Sequence, residues 1–396
     1  MCELRDVYIV GAARTAIGNF LGGLKTFKAT ELGGFAIREA VKRANITGTD
    51  VNEVIMGNVV SAGLGQAPAK QASVNGGVPP TVNSFAVNKV CGSGLKAVWL
   101  AANSIWLEQN EIVVAGGMES MSQSPHLLWK VREGQKMGDL NLKDSMILDG
   151  LWCAFDDQHM GITGEIIAEK FGITREEQDK YALSSYQKAA AAIENGFFKE
   201  EIVPIEVPQR KGDPQIFEID EGPQIKTDLE KLSKLRPAFK KDGTVTAGNA
   251  SSLNDGASAL VIASENAVKE KKLTPLARIL GMSSNALEPH LVMYAPKGAI
   301  EKLLNNMGWT VDDVDLFEIN EAFSSELVVL LKELGMDREK VNVHGGAVAL
   351  GHPIGASGAR VITTLIYALK QKGLKKGVAS LCLGGGDAVA MAIEML

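Results

Sequence analysis

The run Gly351-His352-Pro353-Ile354-Gly355-Ala356-Ser357-Gly358 opens an apolar helical pattern, Ser357–Lys370; a buried-strand run, Val378–Leu383, then ends in Gly384-Gly385-Gly386. Much earlier, Val90-Cys91-Gly92-Ser93-Gly94 opens a helical pattern, Gly94–Leu107, and a strand run, Ile112–Ala115, ends in Gly116-Gly117. The order is the same both times: a Gly-rich turn, a helix of about four turns, then a short buried strand bounded by glycine. We read this as an internal duplication, although βα units in general look alike.

Outward from these stretches the same grammar continues. Val7–Val10 runs into Gly11 as a further strand, and helical patterns cover Thr30–Ala44, Arg175–Asn195, Pro296–Met307 and Glu321–Leu334. Strands alternating with helices predict an α/β architecture. The 396 residues suit two or three domains, or one duplicated unit. Residues 118–250 differ: they are rich in Lys, Glu, Asp, Gln and Met, irregularly spaced, and read as a polar insertion. The expected division is therefore 1–117 with 251–272 as one half, 118–250 as an inserted loop domain, and 273–396 as the other half.

Composition excludes several classes. A net charge of −6 gives no global basic field for nucleic acid. Four cysteines, Cys2, Cys91, Cys153 and Cys382, include no CxxC pair, so neither a disulfide scaffold nor a metal site is expected. Val7–Val10 is too short to span a membrane. With no signal-like run before it and no address at Ile393–Leu396, a cytoplasmic, soluble protein is expected.

Candidate chemistry sits in the Gly-rich turns. Cys91 begins a helix, whose dipole favours its thiolate, and its flanking glycines would let a substrate approach the backbone; a buried structural cysteine has equal claim. His352 is held in a Gly–Pro loop, as a base for a Cys nucleophile or as a turn histidine. Cys382, at a strand end, is an active-site or a core residue. Asn320 is a helix N-cap or a residue that holds water or polarises a carbonyl. Lys211, Lys226, Lys231, Lys234, Arg236, Lys240 and Lys241 form the best local basic patch, interleaved with acids like an ordinary solvated surface.

Six stretches carry a resemblance: Asn88–Gly94, Asn320-Glu321-Ala322-Phe323, Gly351–Gly358, Cys382–Gly386, Asn249–Gly256 and His159-Met160-Gly161, with the opening Ile9–Thr15. Running from about residue 6 to the end, and in the expected order along the chain, they look like the signatures of the thiolase family. The resemblance implies a thiolase-like fold of two duplicated α/β halves with an inserted loop domain, assembled as a tetramer or dimer. It implies condensation of two acetyl-CoA to acetoacetyl-CoA plus CoA, and the reverse thiolysis, with CoA as substrate and product and no cofactor. Cys91 then looks like the acylated nucleophile, His352 its activating base, Cys382 a second acid/base and Asn320 the holder of a water. The N–H groups of Cys91 and Gly384 suit an oxyanion. His159, Ser251, Phe239, Met160, Met293, Leu151 and Lys226 are the expected acyl and CoA contacts.

The chain departs from the family pattern at Met293-Tyr294-Ala295-Pro296, at Trp152 and Cys153, and at Asp387. Met160 and Met293 would fill a short acyl pocket and favour the acetyl-specific type. The alternatives are a 3-ketoacyl-CoA thiolase of broader chain length, a Cys/His hydrolase and a non-catalytic CoA or lipid-carrier binder. Both catalytic sulfurs must reach one acetyl unit, which raises the prospect of a Cys91–Cys382 disulfide and of enhanced thiolate character at both.

Overall fold

The computed structural model describes residues 5–223 and 226–396; Cys2 lies outside them. The first half is built from β1 (Val7–Thr15), α1 (Ala29–Arg43), β2 (Glu53–Gly57), α2 (Pro68–Asn75), β3 (Asn83–Val87), α3 (Ser93–Trp106) and β4 (Ile112–Ser120). An insertion carrying α4 (Met160–Lys170) and α5 (Arg175–Glu194) follows, and then β5 (Asn254–Ser264) completes the half. The second half comprises β6 (Ala277–Ala286), α6 (Ala295–Met307), β7 (Leu316–Ile319), α7 (Ser324–Leu334), α8 (Ile354–Lys372), β8 (Lys376–Leu383) and β9 (Asp387–Met395).

The duplication is literal in the hydrogen bonding. The first half orders its strands β3-β2-β4-β5-β1, and the second orders them β7-β8-β9-β6, extended beyond β7 by a Phe317–Val341 bridge. In each half the outer pairs are parallel and the last two antiparallel. Even the β-bulges correspond: β1 slips register between Ile9 and Gly11, and β6 between Ile279 and Gly281. A bulge adds twist at a fixed point, so its recurrence marks one strand design used twice. A short antiparallel pairing, Tyr8 with Arg278 and Ile9 with Ala277, joins the two half-sheets.

Helices α3 and α8 lie between the half-sheets in one apolar core, with Leu95, Val98 and Ile105 meeting Ile362, Leu365 and Leu381. Outside the first sheet lie α1 and α2; outside the second lie α6 and α7. The central helices cross at glycine. A Cβ on Gly94 would stand 2.6 Å from the Ala359 nitrogen, and one on Gly358 would stand 2.3 Å from the Leu95 nitrogen. Both obstacles are backbone, which cannot swing aside. Gly94 therefore serves helix contact rather than the substrate approach expected from sequence, and Gly92 lies against the Leu383 side chain.

Two further expectations need correction. Helix α7 starts at Ser324, not Glu321, because Phe323 is extended, with φ −142° and ψ 148°, and pairs with Ala250. Asn320 is thus no helix cap. The insertion is also less irregular than its composition suggests. It is pinned to the first half by Arg14, whose Nε meets Glu201 at 2.6 Å and whose two terminal nitrogens meet Asp220 at 2.7 and 2.8 Å, all fully buried. Among the described residues no helix is long and apolar enough to cross a membrane.

Gly358→Ala should cost at least about 1–3 kcal/mol through overpacking of the central crossing. Thermal unfolding checks this; an unchanged melting temperature would mean that the two helices can part freely there.

Candidate active site

The Cys91 turn is a tight link from β3 to α3. Asn88 Oδ1 accepts the Val90 N–H at 3.0 Å, the Lys89 N–H donates to Ser93 Oγ at 2.9 Å, and Ser93 Oγ donates to the Val90 carbonyl at 2.6 Å. These bonds hold Val90 at φ +46°, a conformation a β-branched residue adopts only under constraint. The sharp turn sets Cys91 at the head of α3. Its own N–H and that of Gly384 lie against Sγ.

Although Cys91 keeps some exposure, the surrounding protein pushes its thiol up to about 12; the Glu326 and Glu119 charges act the same way, and the two N–H groups oppose them. The helix-end stabilisation expected from sequence does not decide the shift: the N–H groups of Gly384 and Cys91 favour the thiolate, and desolvation outweighs them. The ligand-free site holds a thiol, not a preformed thiolate.

His352 is carried on the loop before α8. Asn254 of β5 accepts its backbone N–H at 2.9 Å, so one half positions the other half's histidine. Glu119, at the end of β4, accepts the N–H groups of Val59 at 3.0 Å and Gly355 at 3.0 Å and fixes the start of α8. Ser357 sets the ring. Its hydroxyl donates to the Pro353 carbonyl at 3.0 Å, so at 2.6 Å it receives the Nδ1–H of His352. That assignment leaves Nε2 bare, and Nε2 is buried without a partner. Burial, aided by Arg360, depresses the imidazole to about 3. It is a neutral base with one free lone pair.

Cys382 closes β8, buried to 2% exposure, with its thiol 3.7 Å from Met293 Sδ. Burial, then the Glu326 and Cys91 charges, raise it well above the ordinary thiol range; its expected thiolate character is absent in the ligand-free chain. Cys91, Cys153 and Cys382 are free thiols. The turn after Cys382 needs glycine: Gly385 and Gly386 have φ of +94° and +96°, the region where a side chain is strained.

A cavity of about 330 Å³ gathers these parts: Cys91, His352, Cys382 and Gly384 line it with Leu151, His159, Met160, Phe239, Ser251 and Met293. The His159 and Phe239 rings stack at 4.8 Å, and His159 Nδ1 also caps α4 by accepting the Gly161 N–H at 3.0 Å. Asn320 stands behind His352, its Nδ2 3.5 Å from Nδ1 and its Oδ1 without a protein partner. Lys226 is exposed and outside the lining. In the basic patch, Lys231, Lys234 and Lys240 pair with Asp228, Glu230 and Glu169, as on an ordinary solvated surface. Glu119, Ser357 and Glu326 were missed as site residues. Each had a signal: an acid in an apolar strand, a serine inside the His352 motif, and an acid on the buried face of a helix.

The thiolase N-terminal domain matches residues 7–266 and the thiolase C-terminal domain residues 273–395. The chain belongs to the thiolase family. It is 51% identical over 390 residues to an acetyl-CoA acetyltransferase of Thiocystis violacea, covering 98% of this chain and 99% of that one. It superposes on the Bacillus anthracis acetyl-CoA acetyltransferase with TM-score 0.97 at 45% identity, covering 99% of each chain. Human mitochondrial 3-ketoacyl-CoA thiolase gives TM-score 0.96 at 42% identity, covering 99% of this chain and all of that one.

Because the Cys91 thiol is neutral, its alkylation by iodoacetamide in the ligand-free protein should still rise with pH above about 9, past the ordinary thiol ionisation near 8.5. Mass spectrometry of the Cys91 peptide reads this. A rate that levels off below about pH 8 would mean that a stabilised thiolate exists after all.

Proposed function

We propose that this thiolase is an acetyl-CoA C-acetyltransferase that condenses two acetyl-CoA to acetoacetyl-CoA and CoA, reversibly, through an acetyl-Cys91 intermediate. The observation that carries the reading is the convergence of Cys91, His352, Cys382 and Gly384 on one cavity. Free Nε2 takes the Cys91 proton as the sulfur attacks the thioester carbonyl. The thiol starts neutral, so proton transfer and attack proceed together, and the reaction needs no stored ion pair. Charge developing on the carbonyl oxygen falls to the Cys91 and Gly384 N–H groups. The thioester C–S bond breaks, and the departing CoA sulfur takes the Cys382 proton.

The second acetyl-CoA then loses a methyl proton to the Cys382 thiolate, and the electron pair stays on carbon as an enolate. Asn320, with its free Oδ1, suits a water that steadies the enolate oxygen beside His352. The enolate attacks acetyl-Cys91, a carbon–carbon bond forms, and the Cys91 sulfur leaves and recovers its proton from His352. Met160 and Met293 at the inner wall favour a short acyl group over longer ones. His159, Phe239, Ser251 and Leu151 suit the pantetheine arm, and Lys226 the phosphates.

A homo-oligomer, tetramer or dimer, fits the insertion. Its hairpin pairs residues 126–128 with 142–144 and leaves Leu128, Trp129, Val131, Met137, Leu140 and Leu142 exposed, an apolar patch of the kind that seeks a partner surface. A cytoplasmic site of action accords with the free thiols of Cys91, Cys153 and Cys382 among the described residues.

Cys382→Ser should still acquire labelled acetyl on Cys91, though more slowly because a hydroxyl is a poorer proton donor to the departing CoA sulfur. It should lose condensation by orders of magnitude more, because a hydroxyl is a far weaker acid than a thiol and supplies no base for the methyl proton. Peptide mapping and product assays read the two steps separately. Normal condensation by this variant would remove Cys382 from the mechanism and favour a Cys/His hydrolase. Rates against acyl-CoAs of increasing length test the acetyl preference.

A further inference from the structure

Glu326 lies in the first turn of α7, fully buried, and neither carboxyl oxygen has a hydrogen-bond partner of good geometry. An isolated carboxylate in such a place costs several kcal/mol, so a structural role alone gives it nothing to offset that cost. What it faces is sulfur: the Cys382 thiol and the N–H groups of Ala322 and Phe323 approach it, at poorer than hydrogen-bonding geometry. Once ionised, it also raises Cys91 across the cavity.

The other ionisable groups nearby are already committed. Glu321 is satisfied by Tyr181 of α5, Ser185, Asn342 and the Val348 N–H. Glu177 of α5 pairs with Lys332 near the exposed end of α7, and Tyr294 bonds Glu333. Glu119 is held by the β4–α8 junction, and the His352 Nδ1–H is given to Ser357. Glu326 and Cys382 are left with each other.

We propose that Glu326 is a positioning residue that shares a proton with Cys382, so that the two act as one acid/base pair in the carbon–carbon step. The proposal rests on Cys382 being the acid/base of the reading above. When Cys382 has given its proton to the departing CoA sulfur, the Glu326 O–H faces the thiolate. The O–H bond lengthens toward sulfur, or breaks to leave a carboxylate and re-form the S–H bond; one proton is held between the two atoms. When the methyl proton of the second acetyl-CoA arrives on sulfur, the pair holds two protons again and the electron pair stays on the substrate carbon. No other reactant is needed. Burial outweighs the nearby N–H groups and raises Glu326 to about 8, which keeps the carboxyl protonated at neutral pH and makes its proton the first the pair loses.

The experiment is the pH dependence of α-hydrogen exchange from acetyl-CoA into D₂O, for the full-length protein and Glu326→Gln, with acetyl-Cys91 formation measured beside it. With the pair intact, exchange should rise to a plateau near pH 8. In Glu326→Gln the rise should move up by at least about one pH unit, and exchange at pH 7 should fall at least about tenfold, while labelled acetyl still reaches Cys91. Glu326→Asp should keep the position of the rise with a lower plateau, and it serves if the Gln variant does not fold. A profile unchanged or moved to lower pH in Glu326→Gln overturns the proposal, since a carboxylate that merely repels the thiolate would give the downward shift. Absence of acetyl-Cys91 in the unsubstituted protein would instead refute the thiolase reading of Cys91.

Discussion

The structure depends on one close approach: the crossing of α3 and α8 where Gly94 meets Ala359 and Gly358 meets Leu95. Each helix head carries one half's reactive turn. Only at glycine distance can both heads reach the same cavity, with Cys91 on one and His352 on the other. The two half-sheets, their matched bulges and their outer helices form the frame that holds this crossing in place. Packing thus comes before chemistry: the glycines of the motifs surrender side chains so that backbones can touch.

The same closeness sets the electrostatics. A dry junction between two halves desolvates everything within it, and desolvation favours the neutral form of every group. It raises the Cys91, Cys382 and Glu326 protons and strips the one on His352. The resting site is a set of uncharged acids and one uncharged base, with fixed N–H groups aimed where negative charge must develop. Preorganised donors in such surroundings are worth more than in water.

Much of this was legible in the sequence. Repetition of turn, helix and strand around Cys91 and His352 betrayed the duplication, since glycine and apolar periodicity are local signals. Cys91, His352, Cys382 and Gly384 were findable for the same reason. The bonds between halves were not. That Asn254 holds the His352 backbone, or that Ser357 and not a carboxylate fixes its tautomer, depends on which distant segments meet. The direction of the Cys91 shift was misread because a helix dipole is visible in a sequence and burial is not. Helix α7 was begun too early because its periodicity hides the extended pairing of Phe323 with Ala250.

The central claim is that this junction holds a neutral His352 with its proton on Nδ1 and Nε2 open to Cys91. Nitrogen-15 NMR of the labelled, ligand-free protein observes that state directly. The account predicts a neutral ring, protonated at Nδ1 and bare at Nε2, unchanged between about pH 8 and pH 5, where an ordinary imidazole near 6.5 would titrate. An imidazolium in that window, or the proton on Nε2, would contradict it.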